Sequence, residues 1–130
     1  MKLVEPAIYE LLKNLSDGRV YAMRAKQNSA TPFIIFQKTD SERIRAINGP
    51  SGLVQAYIQV DCYDKGYYTA KTLAAQIETL LDGYRGTVYY DDTFVKIAGI
   101  SLQNELDIID QTDDPLLFRN TASYLVTYHQ

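Results

Sequence analysis

Cysteine, histidine and tryptophan are nearly missing from this chain. Its 130 residues hold one cysteine, Cys62, one histidine, His129, and no tryptophan. A single cysteine excludes an internal disulfide and any paired-thiolate metal site. The penultimate His129 stands where chains fray, a poor place for a general base. No Ser-His-Asp arrangement and no phosphate-cradling lysine motif is found, so the residues point to no catalytic site, cofactor or metal. A basic excess is missing too: 13 Lys and Arg stand against 16 Asp and Glu, a net charge of -3. That excludes the electrostatic footprint of sequence-specific nucleic-acid binding. Long apolar runs are also lacking. The start Met1-Lys2-Leu3-Val4-Glu5-Pro6 has no signal-peptide core and nothing reaches membrane-span length, so no membrane association and folding in a cytoplasm are expected.

What the chain does have is tyrosine, eleven residues against four phenylalanines. A ring with a polar tip suits a surface that is wet first and covered by a partner later. Tyrosine also favours strands, which accounts for part of the excess.

The organising stretch is 53–82. Val54, Ala56, Ile58, Val60 and Cys62 alternate with Gln55, Tyr57, Gln59, Asp61 and Tyr63. That period of two predicts a half-buried strand, with Cys62 a small hydrophobe on its apolar face. After Asp64-Lys65-Gly66 the apolar positions become Ala70, Leu73, Ala74, Ile77, Leu80 and Leu81. These spacings of three and four predict a helix ending at Asp82-Gly83, its apolar stripe buried on the strand.

An N-terminal helix is expected from Ile8, Leu11, Leu12 and Leu15, with Pro6 in its first turn and Gly18 after its end. A short extended piece follows at Val20-Tyr21, then a polar loop. Pro32 leads into Phe33-Ile34-Ile35-Phe36, a strand apolar on both faces near the middle of the sheet. The connection 41–52 shows no period and reads as an arm without structure of its own, ordering against a neighbouring subunit. Val88-Tyr89-Tyr90, the reversal at Asp91-Asp92 and a strand over 94–102 form a hairpin. In that last strand Ala98, Ile100 and Leu102 are expected on one face, with Val95, Ile97 and Gly99 on the other. The acidic passage holding Glu105, Asp107, Asp110, Asp113 and Asp114 lacks the glycine and terminal glutamate of an EF-hand loop and reads as a solvated loop. Pro115-Leu116-Leu117-Phe118-Arg119 reads as a short helix. A last strand over 121–128 points Ala122, Tyr124, Val126 and Tyr128 one way.

Together these predict one domain over 1–130 of the α+β class, a mostly antiparallel sheet of about five strands with two helices packed on one side. The candidate subunit-interface residues are Arg43, Arg45, Ile47 and Asn48 on the arm, and Tyr57, Tyr63, Tyr89 and Tyr90 on strands.

The order of these motifs resembles the phage tail-completion family, the neck and tail-terminator proteins of long-tailed bacteriophages and prophages. The resemblance rests on the first helix closing in Asp17-Gly18-Arg19-Val20-Tyr21, on Pro32-Phe33-Ile34-Ile35-Phe36-Gln37, on the strand 54–63 with its helix, and on Leu116-Leu117-Phe118-Arg119 before Tyr124-Leu125-Val126-Thr127-Tyr128. It departs at Ala22-Met23-Arg24, where the family has a proline. The resemblance implies a non-enzymatic virion protein, assembled in the host cytoplasm as a ring, commonly a hexamer. Such a ring caps the head-proximal end of the tail tube, with the tube protein and the head-tail connector as partners. A related head-tail adaptor or minor tail protein, or a small ligand-binding α+β domain, are the alternative readings.

Overall fold

The change of hydrophobic period at Asp64-Lys65-Gly66 is the point where strand gives way to helix. The computed structural model describes residues 3–23, 30–46, 49–110 and 117–129. In chain order it holds α1 (Glu5–Leu12), β1 (Val20–Ala22), β2 (Phe33–Ala46), β3 (Gly49–Asp64), α2 (Tyr67–Leu81), β4 (Gly86–Tyr90), β5 (Thr93–Asp110) and β6 (Leu117–His129). A 3-10 turn, Ser16–Gly18, links α1 to β1.

The α+β class holds, with six strands instead of about five, in the order β1-β2-β3-β6-β5-β4. The sheet is mixed: β1 runs parallel to β2, and the other neighbours are antiparallel. The sixth strand is β1, expected only as a short extended piece at Val20-Tyr21 and too short to show a period. The last strand, β6, lies in the middle between β3 and β5, paired from Phe118 with Asp64 to His129 with Leu53.

Both helices bury their apolar stripes against one face. Val54, Ala56, Ile58, Val60 and Cys62 of β3 meet Ala122, Tyr124, Val126 and Tyr128 of β6 in one core. Val4, Ala7, Ile8 and Leu12 from the α1 region and Leu73, Ile77 and Leu81 from α2 join them. Leu80 does not: it is 40% exposed, because the buried stripe passes through Ala70, Leu73, Ile77 and Leu81. The α2 end is stitched to the sheet, with Gly83 (φ +81°) donating to the Ile100 carbonyl at 2.7 Å and Asp82 Oδ1 accepting from the Leu102 amide at 2.9 Å.

Three expectations are corrected here. The connection 41–52 is mostly ladder: Asp40 pairs with Tyr57, Arg43 with Val54 and Ala46 with Gly49. Its pattern hides the strands because this end of the sheet carries charges and turn residues in place of an apolar alternation. The acidic residues Glu105, Asp107 and Asp110 belong to β5, held there by β6. Asp113 and Asp114 lie outside the described residues. Leu117, Phe118 and Arg119 open β6; Leu117 pairs with β5, and Phe118 and Arg119 pair with both β3 and β5, so the ladders override any local helical preference; Pro115 and Leu116 lie outside the described residues. The β4–β5 reversal is as expected, with Asp91 (φ 42°) and Asp92 (φ 60°) both left-handed, the two-residue turn that suits a twisted hairpin.

The faces of β5 also differ from a simple alternation. A register shift between Ile97 and Gly99 sets Val95, Ile97 and Ile100 together in the core and leaves Ala98 exposed. One bulged residue exchanges the faces beyond it.

Candidate interaction surface

Among the described residues no helix covers the second face of the sheet, and the alternation of β3 sends Gln55, Tyr57, Gln59, Asp61 and Tyr63 there. Register builds an aromatic row on it. Phe33 pairs with Tyr63, and Tyr63 with Arg119. The Phe33 and Tyr63 rings stack at 4.8 Å and 14°, and Tyr21 of β1 tilts against Phe33 at 6.5 Å. The Arg119 guanidinium carbon lies 5.7 Å from the Tyr63 ring centre. The row crosses four adjacent strands, β1, β2, β3 and β6.

Asp61 anchors its charged end. This carboxylate is only 5% exposed, and it receives Arg119 Nη2 at 3.3 Å and Gln59 Nε2 at 3.1 and 3.2 Å. Around it the face carries half-buried neutral side chains: Gln37, Gln55, Thr121, Ser123, Leu125 and Thr127. Tyr57, opposite Leu125, is 36% exposed.

The remaining candidates scatter. Tyr89 (72% exposed) meets Phe94 at 6.1 Å beside the β4–β5 turn, on the far edge of the same face. Tyr90 alternates to the helix side, where its hydroxyl donates to the Leu3 carbonyl at 3.1 Å and accepts from the Leu3 amide at 3.2 Å. Its role is to hold the N-terminal segment. Arg43 is exposed on β2 opposite Val54, and Arg45 pairs with Pro50. Ile47 and Asn48 lie outside the described residues. The structure therefore joins Tyr57 and Tyr63 into one surface, leaves Tyr89 at its margin, and sets Arg43 and Tyr90 elsewhere. The residues that sequence reasoning missed are Tyr21, Phe33 and Arg119. The apolar run at Phe33 read as buried on both faces, and Arg119 sat in a segment read as helix.

At the N-terminal end of α2, on the helix side, Asp107 accepts from Asn120 Nδ2 at 2.8 Å, from Lys71 Nζ at 3.2 and 3.3 Å and from the Tyr67 hydroxyl at 3.2 Å. These donors, Asn120 first, hold its carboxyl below the ordinary range, and Asp107 in turn raises Lys71. A shallow cleft of about 190 Å³ opens here between Tyr67, Ala70, Ile108 and Phe118. The cluster pairs a fixed cation with a fixed anion and contains no nucleophile beside a base. Burial, with the Asp61 and Glu105 charges adding to it, pushes the Cys62 thiol up to about 12, so it stays protonated and inert at neutral pH. Among the described residues no group of three or more His, Cys, Asp or Glu could hold a metal ion, and no helix is long and apolar enough to cross a membrane.

Comparison with known proteins adds a family and a fold. A chain of the virion of a native gene transfer agent particle superposes with a TM-score of 0.71 at 14% identity, over 96% of this chain and 93% of that one. A second solved chain gives a TM-score of 0.58 at 16% identity, over 98% and 93% of the two chains. No curated protein matches. The model of the family described as tail completion protein gp17 matches residues 6–124. That span runs from the first turn of α1 into the second half of β6, and the chain belongs to the tail completion protein gp17 family.

Proposed function

We propose that this structural phage tail protein closes with copies of itself into a ring, a hexamer, at the head-proximal end of the tail tube. There it ends the tube and joins the tail to the head. Its partners are the tube protein below and the head-tail connector above, and it works without catalysis or cofactor. The subunit is one domain over 1–130, made in the host cytoplasm and ending in the virion.

The observation that carries this reading is the uncovered sheet face with its aromatic row, Tyr21, Phe33, Tyr63 and Arg119, and the exposed Tyr57. Aromatic and arginine side chains held by their neighbours cost little entropy when a partner covers them. A similarly folded chain sits in the virion of a gene transfer agent particle, the kind of setting proposed here. The test is genetic and structural. Particles from cells lacking the protein should have tails of uncontrolled length or tails unjoined to heads, and imaging of wild-type particles should place a closed ring at that junction. Normal infectious particles without the protein would overturn the reading.

A further inference from the structure

Among the described residues, the sheet has two long edges that its own strands leave uncovered. Among the described residues, β1 covers β2 only over 34–36, where Ile34 donates to Arg19 and Phe36 accepts from Met23, both at 2.9 Å. Those bonds show which β2 residues turn their backbone groups outward. Beyond the register shift between Lys38 and Asp40 the outward positions become Ser41 and Arg43, since Asp40 and Glu42 take the inward places opposite Tyr57 and Gln55. The Ser41 amide, turned away from β3, bonds instead to its neighbour's Asp40 Oδ1 at 2.8 Å.

The other edge is β5. There β4 covers only 93–97, and Asp82 and Gly83 cap Leu102 and Ile100. After the register shift between Leu102 and Asn104, the outward backbone positions are Glu105, Asp107 and Ile109, because Asn104, Leu106 and Ile108 face β6. The free stretches, 40–46 on β2 and 104–110 on β5, are equal in length.

We propose that the outer edge of β2 in one subunit adds as an antiparallel strand to the outer edge of β5 in the next, so that the sheet runs on through neighbouring copies. This rests on the ring reading and names the contact that closes it. The occupant is a second copy for three reasons. Each edge has its complement on the same molecule. β2 and β5 already run antiparallel within one subunit, so a neighbour in the same orientation offers the right polarity. The charges also fit: 104–110 carries Glu105, Asp107 and Asp110 with no base, whereas 40–46 is balanced and offers Arg43 and Arg45 beside Asp40 and Glu42. Pairing β5 with another β5 would set carboxylates against carboxylates. That disfavours a two-fold dimer and favours head-to-tail contact, the geometry that generates rings.

The free part of β2 lies at the sheet end that holds Gly49 and His129, and that of β5 at the opposite end. Neighbours joined this way are offset along the strands, so in a closed ring the strands incline to the axis, as in barrels.

Proline tests the contact directly, since it removes an outward amide that no internal ladder uses. Glu105→Pro and Arg43→Pro should each melt near the wild-type temperature while losing the ring. A second measurement is independent of proline folding. Proteins carrying Arg43→Cys, mixed in turn with proteins carrying Glu105→Cys, Asp107→Cys or Ile109→Cys (each also Cys62→Ala), should cross-link on oxidation with at least one of these three outward positions, far more than any protein alone. Folded proline variants that still form wild-type rings would overturn the edge contact and leave the ring standing. Cross-linking no greater in any of the three mixtures than in the separate proteins would also overturn the contact. If wild-type particles hold no ring, the ring reading and the contact fall together.

Discussion

On the helix-covered side β3 contributes Val54, Ala56, Ile58, Val60 and Cys62, all buried; on the other side the same strand presents Gln55, Tyr57, Gln59 and Tyr63, which stay partly in water. The first side is apolar and closed by two helices. The second is neutral, aromatic and anchored by one buried carboxylate, Asp61, that is hydrogen-bonded and ion-paired. Burial of apolar area makes the first side the source of stability. The second side contributes less to folding, and the order of its side chains suits contact with another molecule. If the two sides divide the work in this way, substitutions should divide too.

The largest effect belongs to the helix side. Ile77→Ala removes a side chain that is fully enclosed between α2 and the sheet, and denaturant unfolding should show a loss of about 2–5 kcal/mol. Leu80→Ala, three residues on and 40% exposed, should lose less than about 1 kcal/mol. Equal losses would mean that the stripe on α2 is wrongly placed.

Next comes the anchor of the open face. Arg119→Ala leaves Asp61 buried with Gln59 as its remaining side-chain donor, which should cost about 1–3 kcal/mol in the isolated subunit. Tyr57→Ala on the same face should be nearly neutral for folding and impair assembly. A Tyr57 variant that destabilises the subunit as much as Ile77→Ala would erase the distinction between the faces.

Alkaline titration separates the faces in another way. An unfolded Cys62 thiol gives up its proton near 9.0, whereas burial holds the folded one to about 12. Between those values the unfolded chain binds fewer protons, so stability is whole below pH 9 and falls as pH rises, by up to about 1.4 kcal/mol per pH unit. Tyr124 and Tyr128, both raised chiefly by burial on the same side, steepen the fall at higher pH. Cys62→Ala should remove the part of the slope that begins near pH 9, as read by urea midpoints across the range. An unchanged slope would place the thiol in water.

Much of this division is legible in the residues. The alternation of 54–63 and the stripe of α2 mark the helix side because one face of each is apolar without interruption. The bulges are not legible: nothing local distinguishes Ala98 from its neighbours, yet the extra residue moves Ile100 into the core beside Val95 and Ile97. Strands whose two sides are both polar also escape notice, which is why 41–46 reads as a loop. Of the interface candidates, Tyr57 and Tyr63 follow from alternation alone. Tyr90 turns to the helix side, where it bonds a segment distant in sequence, Leu3, and that contact is not visible in the local pattern. The pairing of Arg119 with Asp61 requires knowing that the last strand enters between β3 and β5.

The smallest effect is expected at the solvent-exposed rim of the helix side, where Asp107 gathers Asn120, Lys71 and Tyr67. Its carboxyl is held below the ordinary 3.8, first by the Asn120 hydrogen bond. The folded chain therefore keeps it charged where the unfolded chain has begun to protonate, and its contribution is whole above pH 3.8 and lost as pH falls through the lower folded value. The site is open to water, so the Lys71–Asp107 pair is screened and contributes about 0.2–1 kcal/mol. Asp107→Asn keeps an acceptor oxygen for the buried Asn120 amide and loses only the charge, so stability at pH 7 should fall within that range and the acid sensitivity assigned to this residue should disappear. Asp107→Ala should cost more, since Asn120, 2% exposed and already holding an unpaired Oδ1, then also loses the acceptor for its amide. Equal losses for the two variants would show that charge, not the buried hydrogen bond, is what Asp107 supplies.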